Sequence, residues 1–285
     1  MGNNFNKHVV VVGSARSGTS WLSELMAQPF RYRMLFEPDQ ETRTKRGHLL
    51  CDRWLRSPTD SKEAYTYLKA VFKNRVDCDW IAQNSNRKWK RHLWPFVPKK
   101  YIIKFVRCNL SAPFIHNEFG IPVIHLIRNP YDVIQSQLRA NFPWLVDFKY
   151  YLSQPTLIEY LKDRYEINLK DYNDLSRIQI LCLRWCIENE MILSLTDLSN
   201  KKYMVLKYED LIKDIETYYT LCDKLNLEIK ANIEAIYKQP SSKTHKNSVV
   251  RTKQEKTNIF TIDELKEINT ILDVFESKLY PQKFS

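Results

Sequence analysis

The segment Val9-Val10-Val11-Val12-Gly13-Ser14-Ala15-Arg16-Ser17-Gly18-Thr19-Ser20-Trp21-Leu22 runs from four valines through a loop with two glycines into a helical pattern. A strand that enters a helix through such a loop gathers backbone N–H groups and a helix N-terminus at one spot, a cradle for a phosphate. Gly13 and Gly18 have the spacing of the nucleoside-triphosphate loop G-x-x-x-x-G-K-[ST], but Thr19 stands where that loop has its lysine. The cation is Arg16 instead, inside the loop. A group transfer that proceeds without metal needs a fixed side-chain cation near its leaving phosphate, and Arg16 is in position to be that cation.

A second anion site follows in Pro122-Val123-Ile124-His125-Leu126-Ile127-Arg128-Asn129-Pro130-Tyr131-Asp132-Val133-Ile134-Gln135-Ser136. An apolar strand ends in Arg128, and Pro130 suits the first turn of the helix that follows. Arg128 at the strand end and Ser136 along the helix can converge on one anion. A metal-binding strand would end in an acid, whereas this one ends in a cation. For proton removal the candidate is Glu37, just beyond the weaker strand Tyr32–Phe36. Lys104, at the end of another strand, is a candidate to stabilise developing charge. Each has a plainer reading: Glu37 as a cap or ion-pair partner, Lys104 as a strand-end charge.

These residues need a scaffold that brings strand ends together. Short apolar runs at His8–Val12, Tyr101–Phe105, Val123–Ile127 and Tyr203–Lys207, with Tyr32–Phe36 as a fifth, each precede helical periodicity. Helices are expected over Ser17–Gln28, Ser61–Phe72, Tyr131–Ala140, Asn173–Thr196 and Ile262–Lys278. The alternation gives an α/β fold, a P-loop-like parallel sheet of four to five strands flanked by helices, with ligands beyond the carboxyl ends of the strands. With 285 residues, no linker and no repeat, one domain over 1–285 is expected.

Arg16-Ser17-Gly18-Thr19-Ser20-Trp21-Leu22 resembles the 5′-phosphosulfate loop of sulfotransferases that use 3′-phosphoadenosine-5′-phosphosulfate (PAPS). The pattern Arg128-x-Pro130-x-x-x-x-x-Ser136 resembles that family's 3′-phosphate site. Leu35-Phe36-Glu37-Pro38, Ile103-Lys104-Phe105-Val106-Arg107 and Val205-Leu206-Lys207-Tyr208-Glu209-Asp210-Leu211 resemble elements of its carbohydrate (Golgi-type) branch, with Lys207 in place of an arginine and without that branch's membrane anchor. The resemblance runs from about residue 9 to 212. It implies PAPS as donor, PAP as product and no required metal. Arg16, Ser17, Gly18, Thr19, Ser20 and Trp21 would hold the 5′ group, and Arg128 and Ser136 the 3′-phosphate. The hydroxyl acceptor would be a carbohydrate or glycosylated metabolite. A late basic loop often closes over the nucleotide in this family, which nominates Arg251 and Lys253. The small-molecule branch uses a mid-chain histidine as base; His92, His116 and His125 are nearest, and none sits in a matching motif.

Two intervals, 77–98 with Trp80, Trp89 and Trp94, and 141–172 with Trp144, Phe148, Tyr150, Tyr151 and Tyr160, break the strand–helix rhythm. Aromatic faces among cations there suit acceptor recognition, although any single one is as well explained by packing. Lys and Arg total 44 against 33 Asp and Glu, so the net charge of +11 calls for an anionic partner. Two further classes stay open at this stage: a P-loop small-molecule kinase, which the missing loop lysine and Arg128 argue against, and a basic nucleic-acid-binding protein, for which no fold motif speaks. The six scattered cysteines, the polar N-terminus and the lack of an apolar run near 20 residues lead us to expect reduced thiols, no structural metal and a cytoplasmic, membrane-free chain.

Overall fold

The computed structural model describes residues 5–76, 78–83, 100–242 and 260–284. Arg251, Lys253, His92, Trp89 and Trp94 lie outside these residues, as does most of the interval 77–98.

Five strands form one sheet in the order β2-β3-β1-β4-β5: β1 Val9–Val12, β2 Tyr32–Phe36, β3 Lys100–Lys104, β4 Val123–Ile127 and β5 Tyr203–Lys207. Every pairing is parallel. A parallel strand buried on both faces must be apolar throughout, and β1 through β4 are buried at every position. The two faces divide the strand residues by alternation. Val10, Val12, Leu35 and Ile103 pack under the helices Lys62–Phe72, Ala112–Phe119, Arg177–Cys186 and Ile262–Val274. Val9, Val11, Met34 and Ile102 pack under Thr19–Met26 and Ile215–Lys224. The weakly patterned β2 is a full strand, paired with β3 over five residues, because its neighbours bury it.

The long helix expected over Asn173–Thr196 is interrupted. Ser176 caps its start in a reciprocal box with Gln179; the α-helix covers Arg177–Cys186, and Ile187–Met191 forms a π-turn before Ile192–Ser194. A π-turn widens the helix by one residue per turn and is common where side chains serve a site. Here consecutive Glu188 and Asn189 are both buried, and Asn189 reaches the loop after β1. The last helix ends at Val274, short of the expected Lys278.

All six cysteines are free, five of them buried. Among the described residues, no helix is long and apolar enough to cross a membrane, and no group of three metal-ligating side chains occurs.

Candidate active site

A cavity of about 550 Å³ opens at the carboxyl ends of the strands. Parallel order places the loops after β1, β2, β3 and β4 around it. Its lining includes Arg16, Gly18, Thr19, Ser20 and Trp21 after β1, Glu37 after β2, Lys104 at the end of β3, and Arg128 after β4.

The β1 loop is fixed from several directions. The Gly13 N–H donates to Asn109 Oδ1 at 2.7 Å, and Gln137 Nε2 donates to the Ala15 carbonyl at 3.0 Å. An Arg128 terminal nitrogen donates to the Arg16 carbonyl at 3.0 Å, and Asn189 Nδ2 donates to Ser14 Oγ at 2.9 Å. With its carbonyls tied back, the loop leaves backbone donors for a ligand. No side chain caps the helix Thr19–Met26, so its first N–H groups are unclaimed within the helix, where the dipole favours an anion.

Gly18 has φ +94°, and a Cβ there would sit 2.4 Å from the Tyr208 ring, so this position requires glycine. Arg16 is itself left-handed at φ 77°, a strained conformation of the kind that recurs at functional sites. Ser17 is buried, and among the described residues its hydroxyl has no partner and does not line the cavity.

Arg16 Nε donates to Ser136 Oγ at 3.0 Å. That bond joins the loop after β1 to the helix Pro130–Ala140 after β4. Burial, followed by repulsion from Arg128, lowers the Arg16 pKa from its ordinary value. Two guanidinium groups close enough to repel, beside a helix N-terminus, are relieved by an anion between them. Arg128 stacks over Tyr208 at 4.9 Å and, among the described residues, pairs loosely with Asp132 at 3.6 Å.

On the other side of the loop, β2–β3 register sets Phe36 opposite Lys104. The Glu37 N–H donates to the Lys104 carbonyl at 2.9 Å, and the backbone then turns left-handed at Glu37, φ 45°. Glu37 and Lys104 form an ion pair inside the cavity. Their side chains are 13% and 3% exposed, so the pair is largely shielded from water.

Beneath this pair lies a carboxylate the sequence did not single out. Asp39 is fully buried and accepts the Val106 N–H at 2.8 Å and the Arg107 N–H at 2.5 Å, clamping the chain after Glu37 to the chain after Lys104. Burial raises its pKa to about 6, against the pull of those two bonds. Deeper still, Arg107 pairs with Asp52 and Glu41, and Arg184 with Asp52 and Glu188. Glu209, which follows β5, accepts the Asn129 N–H at 3.0 Å and the Tyr280 hydroxyl at 2.7 Å, bracing the turn that carries Arg128.

Asn109, Gln137 and Asn189 hold the loop yet had no sequence signal, being isolated amides in three different elements. From the interval 141–172, Phe142 and Trp144 line the cavity, whereas Phe148 and Tyr151 are fully buried and Tyr160 packs against the core. His125 is buried, lowered to about 4 by burial, and contacts Tyr203 and Asn189 rather than the cavity.

A family model described as the sulfotransferase domain matches residues 6–269. No curated protein matches the chain. Among solved structures the chain is similar to the sulfotransferase domain of the curacin biosynthetic pathway, with 19% identity and a TM-score of 0.45 over 96% of this chain and 93% of that one. It is similar to a mouse sulfotransferase complexed with PAP, with 14% identity and a TM-score of 0.49 over 96% and 86% of the two chains. It is also similar to a sulfotransferase from Alicyclobacillus acidocaldarius, with 12% identity and a TM-score of 0.43 over 94% and 93%.

Proposed function

The chain belongs to the sulfotransferase domain family, and from that membership we propose that it transfers the sulfuryl group of PAPS to a hydroxyl of a carbohydrate or glycosylated metabolite. The observation that carries this reading is the convergence of Arg16, Arg128 and Ser136 beside an uncapped helix N-terminus. One anion site after β1 and another after β4, joined by a hydrogen bond, suit a nucleotide phosphorylated at two positions.

The step is an in-line displacement at sulfur. The acceptor hydroxyl gives its proton to the Glu37 carboxylate as its oxygen attacks. The bond between sulfur and the bridging oxygen of the 5′-phosphosulfate breaks, and the electron pair leaves with PAP. Arg16 and the N–H groups of Gly18, Thr19 and Ser20 offset the charge that grows on the leaving phosphate. Lys104 starts the step bound to Glu37. As Glu37 becomes neutral, the ammonium is released to face the sulfuryl oxygens, so one ion pair serves both ends of the transfer. Most of the catalysis is then positioning and charge stabilisation, as in phosphoryl transfer.

Aromatic faces in the cavity support a sugar-bearing acceptor: Phe36 against Trp80 at 5.4 Å, and Phe142 parallel to Trp144 at 6.3 Å. Incubation with sulfur-labelled PAPS and a panel of para-nitrophenyl glycosides in EDTA tests the proposal. Labelled glycoside is the expected product. Transfer from Mg-ATP instead, with none from PAPS, would overturn it.

A further inference from the structure

Among the described residues four basic side chains line the cavity, and three of them are accounted for. Arg16 and Arg128 stand after β1 and β4, where the loop and Ser136 gather the donor's phosphates. Lys104 is paired with Glu37. The fourth, Arg43, follows β2, the edge strand on the opposite side of β1 from β4. Its guanidinium lies 5.4 Å from the centre of the Trp80 ring, and Trp80 in turn packs against Phe36. Among the described residues no carboxylate pairs with Arg43. The charge is therefore solvent-exposed on the acceptor side of the reacting pair, over an aromatic face and unpaired among the described residues.

Stacking uses the face of a guanidinium and leaves its N–H edge free to fork an oxyanion. A neutral hydroxyl would take only an ordinary hydrogen bond from that edge, whereas a carboxylate or sulfate takes a stronger, charge-assisted one. We propose that Arg43 is an anion subsite for the acceptor, so that the preferred acceptor carries a carboxylate or sulfate group in addition to the hydroxyl that is sulfated. This rests on the sulfotransferase reading above, because it takes the β1–β4 side of the cavity to be filled by the donor. The polar side chains of Gln40, Thr42 and Gln83 also line the cavity and complete a wall suited to a hydrated, charged ring rather than an apolar one.

The experiment is isothermal titration of PAP-saturated protein with three matched probes. These are para-nitrophenyl glucoside, para-nitrophenyl glucuronide, and the glucoside carrying a sulfate ester on its exocyclic hydroxyl oxygen. At least one anionic probe is expected to bind about tenfold or more tightly than the neutral one, the size of one charge-assisted hydrogen bond. Which anionic probe binds better identifies the oxyanion. Arg43→Ala is expected to erase the advantage while leaving PAP affinity unchanged, and Arg43→Lys to keep part of it. Equal binding of neutral and anionic probes, an advantage that survives Arg43→Ala, or no binding of any probe would each overturn the subsite. Failure to bind PAP in the first titration would instead overturn the donor reading beneath it.

Discussion

The Arg16 guanidinium donates to the Ser136 hydroxyl across 3.0 Å, although 120 residues separate them in the chain. The bond links the loop after β1 to the helix after β4, the two places where the proposed donor site gathers phosphates. Ser136→Ala removes the hydrogen-bond acceptor of Arg16 and, in the proposed function, a ligand for the 3′-phosphate. Affinity for PAP is expected to fall about tenfold by titration, while affinity for the nucleotide lacking the 3′-phosphate changes little. An equal loss for both nucleotides would show that Ser136 only shapes the loop.

Gly18→Ala would set a methyl group 2.4 Å from the Tyr208 ring at φ +94°. Either the loop or the β5 turn that carries Tyr208 must move. The expected result is a lower melting temperature together with a loss of PAP affinity of roughly 100-fold. Unchanged PAP binding would mean that the loop does not hold the donor.

Glu37→Gln removes the proposed proton acceptor but keeps the shape. Turnover is expected to fall roughly 100- to 10,000-fold, with PAP affinity within about twofold of the parent. Full turnover with an unchanged pH profile would place the base elsewhere.

The same pair makes a stability prediction. Lys104→Met leaves a shielded carboxylate without its partner, which is strongly destabilising. The double variant Lys104→Met, Glu37→Gln should therefore melt higher than Lys104→Met alone. A lower melting temperature for the double variant would contradict the pairing.

Asp39 carries a pH signature. Its folded pKa, about 6, lies above the ordinary 3.8, so the folded state holds the proton more tightly than the unfolded chain. Its contribution to stability is fully present below 3.8 and is lost as pH rises through about 6, amounting to roughly 3 kcal/mol at full ionisation. Asp39→Asn stays neutral throughout. The melting temperature of the variant relative to the parent should therefore climb between pH 4 and 7, and a flat difference would contradict the raised pKa.

The strand-end residues were legible because chemistry and local periodicity coincide in them. Four valines before Gly13, and an apolar run ending in Arg128 before Pro130, each announce a strand, a turn and a helix within one short window. What joins those windows was not legible. The pairing of Glu37 with Lys104 depends on β2–β3 register, which no local pattern encodes. Asn109, Gln137 and Asn189 are single amides whose neighbours in space are far away in sequence. Asn189 also depends on the π-turn, which breaks the helical periodicity that predicted an unbroken helix. The aromatics of 141–172 were legible as a group, but burial alone separates Phe148 and Tyr151 from Trp144.

The most direct test of the account is isothermal titration of the purified chain with PAP in EDTA, with ATP and the nucleotide lacking the 3′-phosphate as comparisons. The account predicts tight binding of PAP alone, weakened at least tenfold by Arg128→Ala through loss of a charged contact. Equal affinity for all three nucleotides, or a preference for ATP that appears when Mg²⁺ is restored, would contradict it.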